Sequence, residues 1–188
     1  MQSRSHPALR VAVLAMMTAL VFVVNYPRVI IPLSTGQTSF TLANIMCCLS
    51  GLLLGPIGGL AAGLGSALYD LTNPLYAPEC WLTFLTKGAM GLGAGLVMLR
   101  AKHREEPRYP RCLLGALLGC AVYYVLYFSK SLFYDGMLVG GLSLEASALL
   151  LPLKVPASVV NAVLAVAAAP VLCLVIRSAL KRAHLKLA

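Results

Sequence analysis

Acidic residues are scarce in this chain. Six Asp and Glu stand against fifteen Lys and Arg in 188 residues, and all charged residues together make up only 11%. A soluble domain carries about 25% charged residues, so the composition excludes an ordinary water-soluble fold. Histidine is almost as rare. His6, His103 and His184 all lie in charged segments, and none falls within an apolar run. The hydrophobic part therefore lacks the imidazole that a catalytic zinc or a His-assisted serine hydrolase would need. Gly65-Ser66-Ala67 is not a Gly-x-Ser-x-Gly elbow. No P-loop is present, which excludes ATP hydrolysis by that route. The net charge of +9 would suit nucleic acid. However, the basic residues cluster at the ends of apolar runs, without interleaved aromatics or a nucleic-acid motif. Cys47, Cys48, Cys80, Cys112, Cys120 and Cys173 show no metal-ligand spacing, and most fit as small packing hydrophobes. The residues name no enzyme, no cofactor and no metal.

Apolar sequence is abundant. The chain is 60% hydrophobic, with a mean hydropathy of +0.85. Cutting at the apolar runs leaves six segments, at about 8–26, 40–55, 57–72, 81–99, 112–134 and 150–176. They predict an all-α integral membrane protein, a six-helix transmembrane bundle filling one domain over residues 1–188. The first run is too long for a signal-peptide core and is expected to be a retained helix. The stretch Phe40–Thr72 would make a helix of about 50 Å, too long for a hydrocarbon core of about 30 Å. It must fold back, and Gly55-Pro56-Ile57-Gly58-Gly59 is the break.

The charges predict an orientation. Arg4, Arg10, Arg100, Lys102, Arg104, Arg108, Arg111, Arg177, Lys181, Arg182 and Lys186 fall on one side of the six segments, eleven of the fifteen cations. Asp70, Glu79, Asp135 and Glu145 fall on the other. Lys and Arg in short loops are retained in the cytoplasm, so both termini are expected inside. Small residues recur at four-residue spacing, as in Gly51/Gly55, Gly55/Gly59, Gly59/Gly63, Gly91/Gly95 and Gly115/Gly119. That spacing lets helix backbones approach closely in lipid. Ala12, Ala15 and Ala19 make a smooth stripe on the first segment, suited to facing another subunit.

Arg28, Lys87, Lys130 and Lys154 break the charge pattern, and function is to be sought there. Ionisable groups within spans are costly and usually face a cavity or a partner. Lys87 lies more than one turn below Trp81, too deep for easy snorkelling. It calls for a ligand or for an acid such as Asp70 or Glu79. Asn44, Asn161, Tyr69, Trp81, Tyr127 and Tyr134 gather at the same end. Polar groups against an apolar wall make a ligand site. The alternative is lysines snorkelling outward and an interfacial aromatic belt. The candidate substrate-binding set is Lys87, Asn161, Trp81, Tyr69, Asp70, Glu79, Asn44, Lys130, Tyr134 and Lys154. Lysine favours a ligand with a carboxylate or phosphate, and the aromatics favour a ring. A stand-alone solute transporter or channel and an integral membrane enzyme are the competing functional classes.

The chain resembles the substrate-binding S components of energy-coupling factor (ECF) vitamin transporters. The resemblance rests on Ala15-x-x-x-Ala19, on Ser50-Gly51-Leu52-Leu53-Leu54-Gly55-Pro56-Ile57-Gly58-Gly59, and on Gly65-Ser66-Ala67-Leu68-Tyr69-Asp70-Leu71-Thr72-Asn73-Pro74. Six segments, the length and the inside termini extend it over essentially the whole chain. It implies a non-enzymatic subunit of a bacterial plasma membrane, surrounded by lipid. Such a subunit captures a vitamin or related micronutrient outside and docks on a membrane T component coupled to two ATPases. By that analogy Ala15 and Ala19, with Ala12 beside them, form the docking surface, and Pro27–Ser39 acts as a lid.

Overall fold

The computed structural model describes residues 7–32, 37–74, 76–99 and 108–182. Five of the eleven cations of the expected cytoplasmic side, Arg4, Arg100, Lys102, Arg104 and Lys186, lie outside that range, as do all three histidines. The first apolar run forms α1 (Pro7–Val24) and ends ahead of Pro27. The next segment differs from the all-α expectation. Arg28–Pro32 is a strand, β1, paired antiparallel with β2 (Gln37–Thr41). Val29 lies opposite Phe40, and Ile31 opposite Thr38. The branched run Val29-Ile30-Ile31 suits a pleated surface better than a helix. The exit loop is thus a β-hairpin, and Phe40 belongs to it rather than to the second helix.

The long apolar stretch folds back as its composition requires. α2 (Ala43–Leu54) and α3 (Gly58–Thr72) flank a single 3-10 turn, Gly55–Ile57. Gly55 has φ +70°, a backbone state that costs glycine little because it has no Cβ. Ser50 Oγ lies 2.8 Å from Cys47 O and 2.9 Å from Gly58 O. Farther from the turn, Cys47 Sγ lies 3.7 Å from Ser66 Oγ. These two pairings straddle the turn, so α2 and α3 run antiparallel. One end of the bundle holds this turn, and the other holds the β-hairpin.

α4 (Cys80–Leu99) is wedged in the middle. A Cβ on Gly51 would lie 2.1 Å from Gly91 O, and one on Gly59 2.7 Å from Gly88 O. On the opposite flank, a Cβ on Gly119 would lie 2.7 Å from Met90 O. The four-residue glycine spacing therefore marks real backbone contact between α2, α3, α4 and α5 (Tyr109–Lys130), in which van der Waals packing replaces the hydrophobic effect that lipid does not supply. Met90, Ala94, Leu49, Leu52, Cys47, Cys120, Ala165 and Cys173 fill the core around this seam. Five of the six cysteines are buried in it.

Two boundaries differ from the apolar runs. The expected loop Asp135–Leu149 is largely helical, because α5 continues as π-helical turns through Ser131–Val139. The final helix, α6, spans Leu144–Arg182 and contains Pro152, Pro156 and Pro170. At 1.5 Å per residue it is about 58 Å long, well beyond the apolar thickness of a bilayer. Four helical stretches are long and apolar enough to cross a membrane: Ala43–Thr72, Ala77–Leu99, Tyr109–Val139 and Leu144–Arg182. Arg10–Val24 is apolar but shorter. Leu149, Val125 and Val163 are among many large apolar side chains on the outside, as expected of a multi-pass membrane protein.

The seam can be tested by overpacking. Gly51→Ala should lower the midpoint of thermal unfolding in detergent, because its Cβ would meet a backbone oxygen that cannot yield. Overpacking of this kind costs about 1–3 kcal/mol. Gly88→Ala, whose Cβ would sit at an ordinary 3.5 Å from Gly59 O, should leave the midpoint nearly unchanged. Equal behaviour of the two variants would contradict the seam.

Candidate functional site

At the hairpin end the helices diverge around a cavity of about 210 Å³. Its wall takes residues from the hairpin and from α3 to α6. β1 gives Arg28, β2 gives Thr38, Ser39 and Thr41, and α3 gives Asp70. Glu79 comes from the 3-10 turn Ala77–Glu79 just before α4, and Thr83, Thr86 and Lys87 from the first half of α4. Tyr123, Tyr124, Tyr127 and Lys130 come from α5, Asp135 from the π turns, and Ser158 and Asn161 from α6.

The charges inside this wall are mostly answered by one another. Arg28 is held beside Asp70 at 3.9 Å, donates to Asn25 Oδ1 at 2.6 Å, and lies over the rings of Tyr69 and Tyr76. Tyr76 sits in the link between α3 and α4, where burial pushes its phenol up against the opposing pull of Arg28. Lys130 bridges Glu79 at 2.5 Å and Asp135 at 2.6 Å. Lys154, only 2% exposed, donates to Ser131 Oγ at 2.6 Å and to Asp135 Oδ2 at 3.0 Å. One carboxylate thus ties α5 to α6, and Glu79 ties both to the start of α4. Ser131 and Asp135, four residues apart within the π turns, share the face that Lys154 meets.

Lys87 is arranged differently. It is 5% exposed, donates to Asn44 Oδ1, and rests 4.4 Å from the centre of the Tyr123 ring. The two acids that might have paired with it are engaged elsewhere, Asp70 with Arg28 and Glu79 with Lys130. Asn44 also reaches Tyr124 Oη at 3.3 Å. Tyr123 stacks on Tyr127 at 5.8 Å, and Tyr124 meets Tyr123 edge-on. The result is an aromatic shelf with a cation at its base.

Asn161 holds the hairpin. Its Oδ1 accepts from Thr41 N at 3.0 Å, and its Nδ2 donates to Ser39 O at 2.7 Å. The amide expected to bind substrate is therefore spent largely on β2, which it clips to α6 over the cavity.

Of the sequence-derived residues, Lys87, Asn161, Asp70, Glu79 and Lys130 line the cavity, and Asn44 and Lys154 buttress it from behind. Tyr69 is buried under Arg28. Trp81 is 53% exposed and meets Tyr134 edge-on, so these two rings lie outside the cavity wall. Sequence reasoning left Arg28 out of its site set, although its charge stood out there, and it missed Tyr123, Tyr124, Thr41 and Ser158. The signal for the tyrosines was the spacing Tyr123-Tyr124-x-x-Tyr127, which puts aromatic rings on one helix face. Ala12, Ala15 and Ala19 are exposed on α1. Ala15 and Ala19 line an open apolar groove with Leu64, Leu68 and Leu71 of α3.

The clip generates a prediction. Asn161→Leu keeps the volume and removes both hydrogen bonds, so amide hydrogens of residues 37–41 should exchange faster while those of α4 do not. Unchanged protection of β2 would show that the hairpin is held by other contacts.

A family model described as "ECF-type riboflavin transporter, S component" matches residues 7–178. A protein of Pyrococcus woesei described as an uncharacterized protein in a gap 3' region is 36% identical over 103 residues. That alignment covers 54% of this chain and 64% of the relative, slightly less than two thirds of its length.

Proposed function

This chain belongs to the family of ECF-type riboflavin transporter S components, transport subunits rather than enzymes, and on that premise we propose that it captures a vitamin in the hairpin-end cavity for uptake into the cell. The observation that carries the reading is the cavity itself: a tyrosine shelf, a ring of ion pairs and a clipped hairpin at one end of an otherwise apolar bundle. In this reading the hairpin is the lid and the cavity opens to the outside of a bacterial plasma membrane. All six helices embed in the bilayer, with both termini in the cytoplasm. The charge bias supports that orientation. Riboflavin, which the family description names, is the reference ligand, and its flat ring suits the stacked Tyr123 and Tyr127.

The chain has no P-loop, and in this reading an ATP-hydrolysing partner supplies the energy for transport. The exposed Ala15 and Ala19 stripe beside the α3 leucines supports docking on a T component with two ATPases. Small side chains let two helices meet and part without interlocking. Replacing Ala15 and Ala19 together with Trp should abolish vitamin uptake in cells or in liposomes containing the full complex. Vitamin affinity of the isolated subunit should stay unchanged. Loss of affinity with intact complex assembly would tie the stripe to substrate binding and overturn the docking assignment.

The orientation has its own test. In a background without the native cysteines, a single cysteine at 103 should resist a membrane-impermeant thiol reagent added to intact cells. One at 141 should react. The reverse pattern would invert the topology and put the cavity on the cytoplasmic side.

A further inference from the structure

We infer that the substrate captured here carries an anionic oxygen group, a carboxylate or a phosphate, and that Lys87 receives it. The inference rests on the vitamin-capture reading and specifies its substrate class. The residues that line or buttress the cavity include four cations, Arg28, Lys87, Lys130 and Lys154, and three carboxylates, Asp70, Glu79 and Asp135, a local surplus of one positive charge. The pairings say which cation is left over. Arg28 has Asp70, Lys130 has Glu79 and Asp135, and Lys154 has Asp135. Among the described residues, no carboxylate lies within ion-pair distance of Lys87. Its ammonium is met by one amide oxygen and one ring face.

A charge so placed is expensive in a bilayer, and such charges mark substrate or ion paths. A neutral amide and a ring face offset part of that cost, and an anion would offset the rest. The surroundings favour a ligand over a permanent internal partner. Lys87 borders the cavity, not the solid core, and Thr83, one turn before it on α4, and the adjacent Thr86 line the same wall.

The test compares vitamins that differ only in the charged group. The purified chain in detergent is titrated with nicotinate and nicotinamide, with pantothenate and pantothenol, and with riboflavin phosphate and riboflavin, reading thermal stabilisation and Kd. In at least one pair the acid should bind about 10- to 100-fold more tightly than its neutral counterpart, the factor expected of a hydrogen bond to a charged group. Lys87→Met should remove that advantage, and Lys87→Arg should restore part of it. The first two pairs report on a carboxylate, and the third on a phosphate. Equal affinity within every pair that binds, or tight binding of a neutral vitamin that survives Lys87→Met, would overturn the inference and leave vitamin capture standing. Failure of every compound to bind the unmodified chain would overturn both. Because the pairs are compared on the unmodified chain first, the result does not depend on the variants folding.

Discussion

A charge placed below the surface of a membrane must be met within the protein, and the hairpin end of this bundle is organised by that requirement. Asp135 is shared between Lys130 and Lys154, and Glu79 takes the other side of Lys130. Three helices are joined there by ions rather than by packing. Removing one member of such a cluster leaves an uncompensated buried charge, which costs far more than the intact cluster contributes. Ser131 and Asp135, the two residues that meet Lys154, lie in the π-helical turns that follow Lys130.

The two ends of the bundle follow different rules. Toward the Gly55 turn, glycine brings backbone against backbone and leaves no room for a site. Toward the hairpin, larger side chains hold the helices apart. Tyr123, Tyr124 and Tyr127 replace the Gly115 and Gly119 of the preceding turns of α5, and the space they open becomes the cavity. The gradient from small to large residues along one helix produces both the seam and the site. Arg177 closes the opposite end by donating to Leu52 O at 2.8 Å, which satisfies a carbonyl near the C-terminus of α2.

Much of this was legible in the sequence, because membrane folding leans on composition. Long apolar runs, the Gly-Pro break and the four-residue glycine spacing each have one physical meaning in lipid. The break at Gly55 and the close contacts of Gly51, Gly59 and Gly119 follow directly from them. Lys87 stood out because its depth is a cost visible without coordinates. The hairpin was hidden because five-residue strands carry little periodic signal, and hydroxyl-rich sequence reads equally as loop. Pairing partners were hidden for a different reason. Asp70 and Glu79 lie close to Lys87 in depth, but which cation each one meets depends on helix rotation, which an apolar run does not encode. The exposure of Trp81 has the same origin. A residue at the start of a helix faces lipid or cavity according to a rotation that only packing decides.

The glycine seam also limits how the molecule can deform. Where α4 touches α3 through backbone atoms on one flank and α5 on the other, there is no layer of flexible side chains to shear. A hinge between those helices would have to break contacts that have no alternative register. The bundle therefore answers force as one solid body. The β-hairpin is instead fastened through side chains: Asn161 of α6 holds β2, Tyr127 of α5 reaches Thr38, and Arg28 pairs with Asp70 of α3. If the hairpin is the lid, as proposed above, the Asn161 clasp is where the cavity opens, and the helices that carry the ion cluster need not move relative to one another.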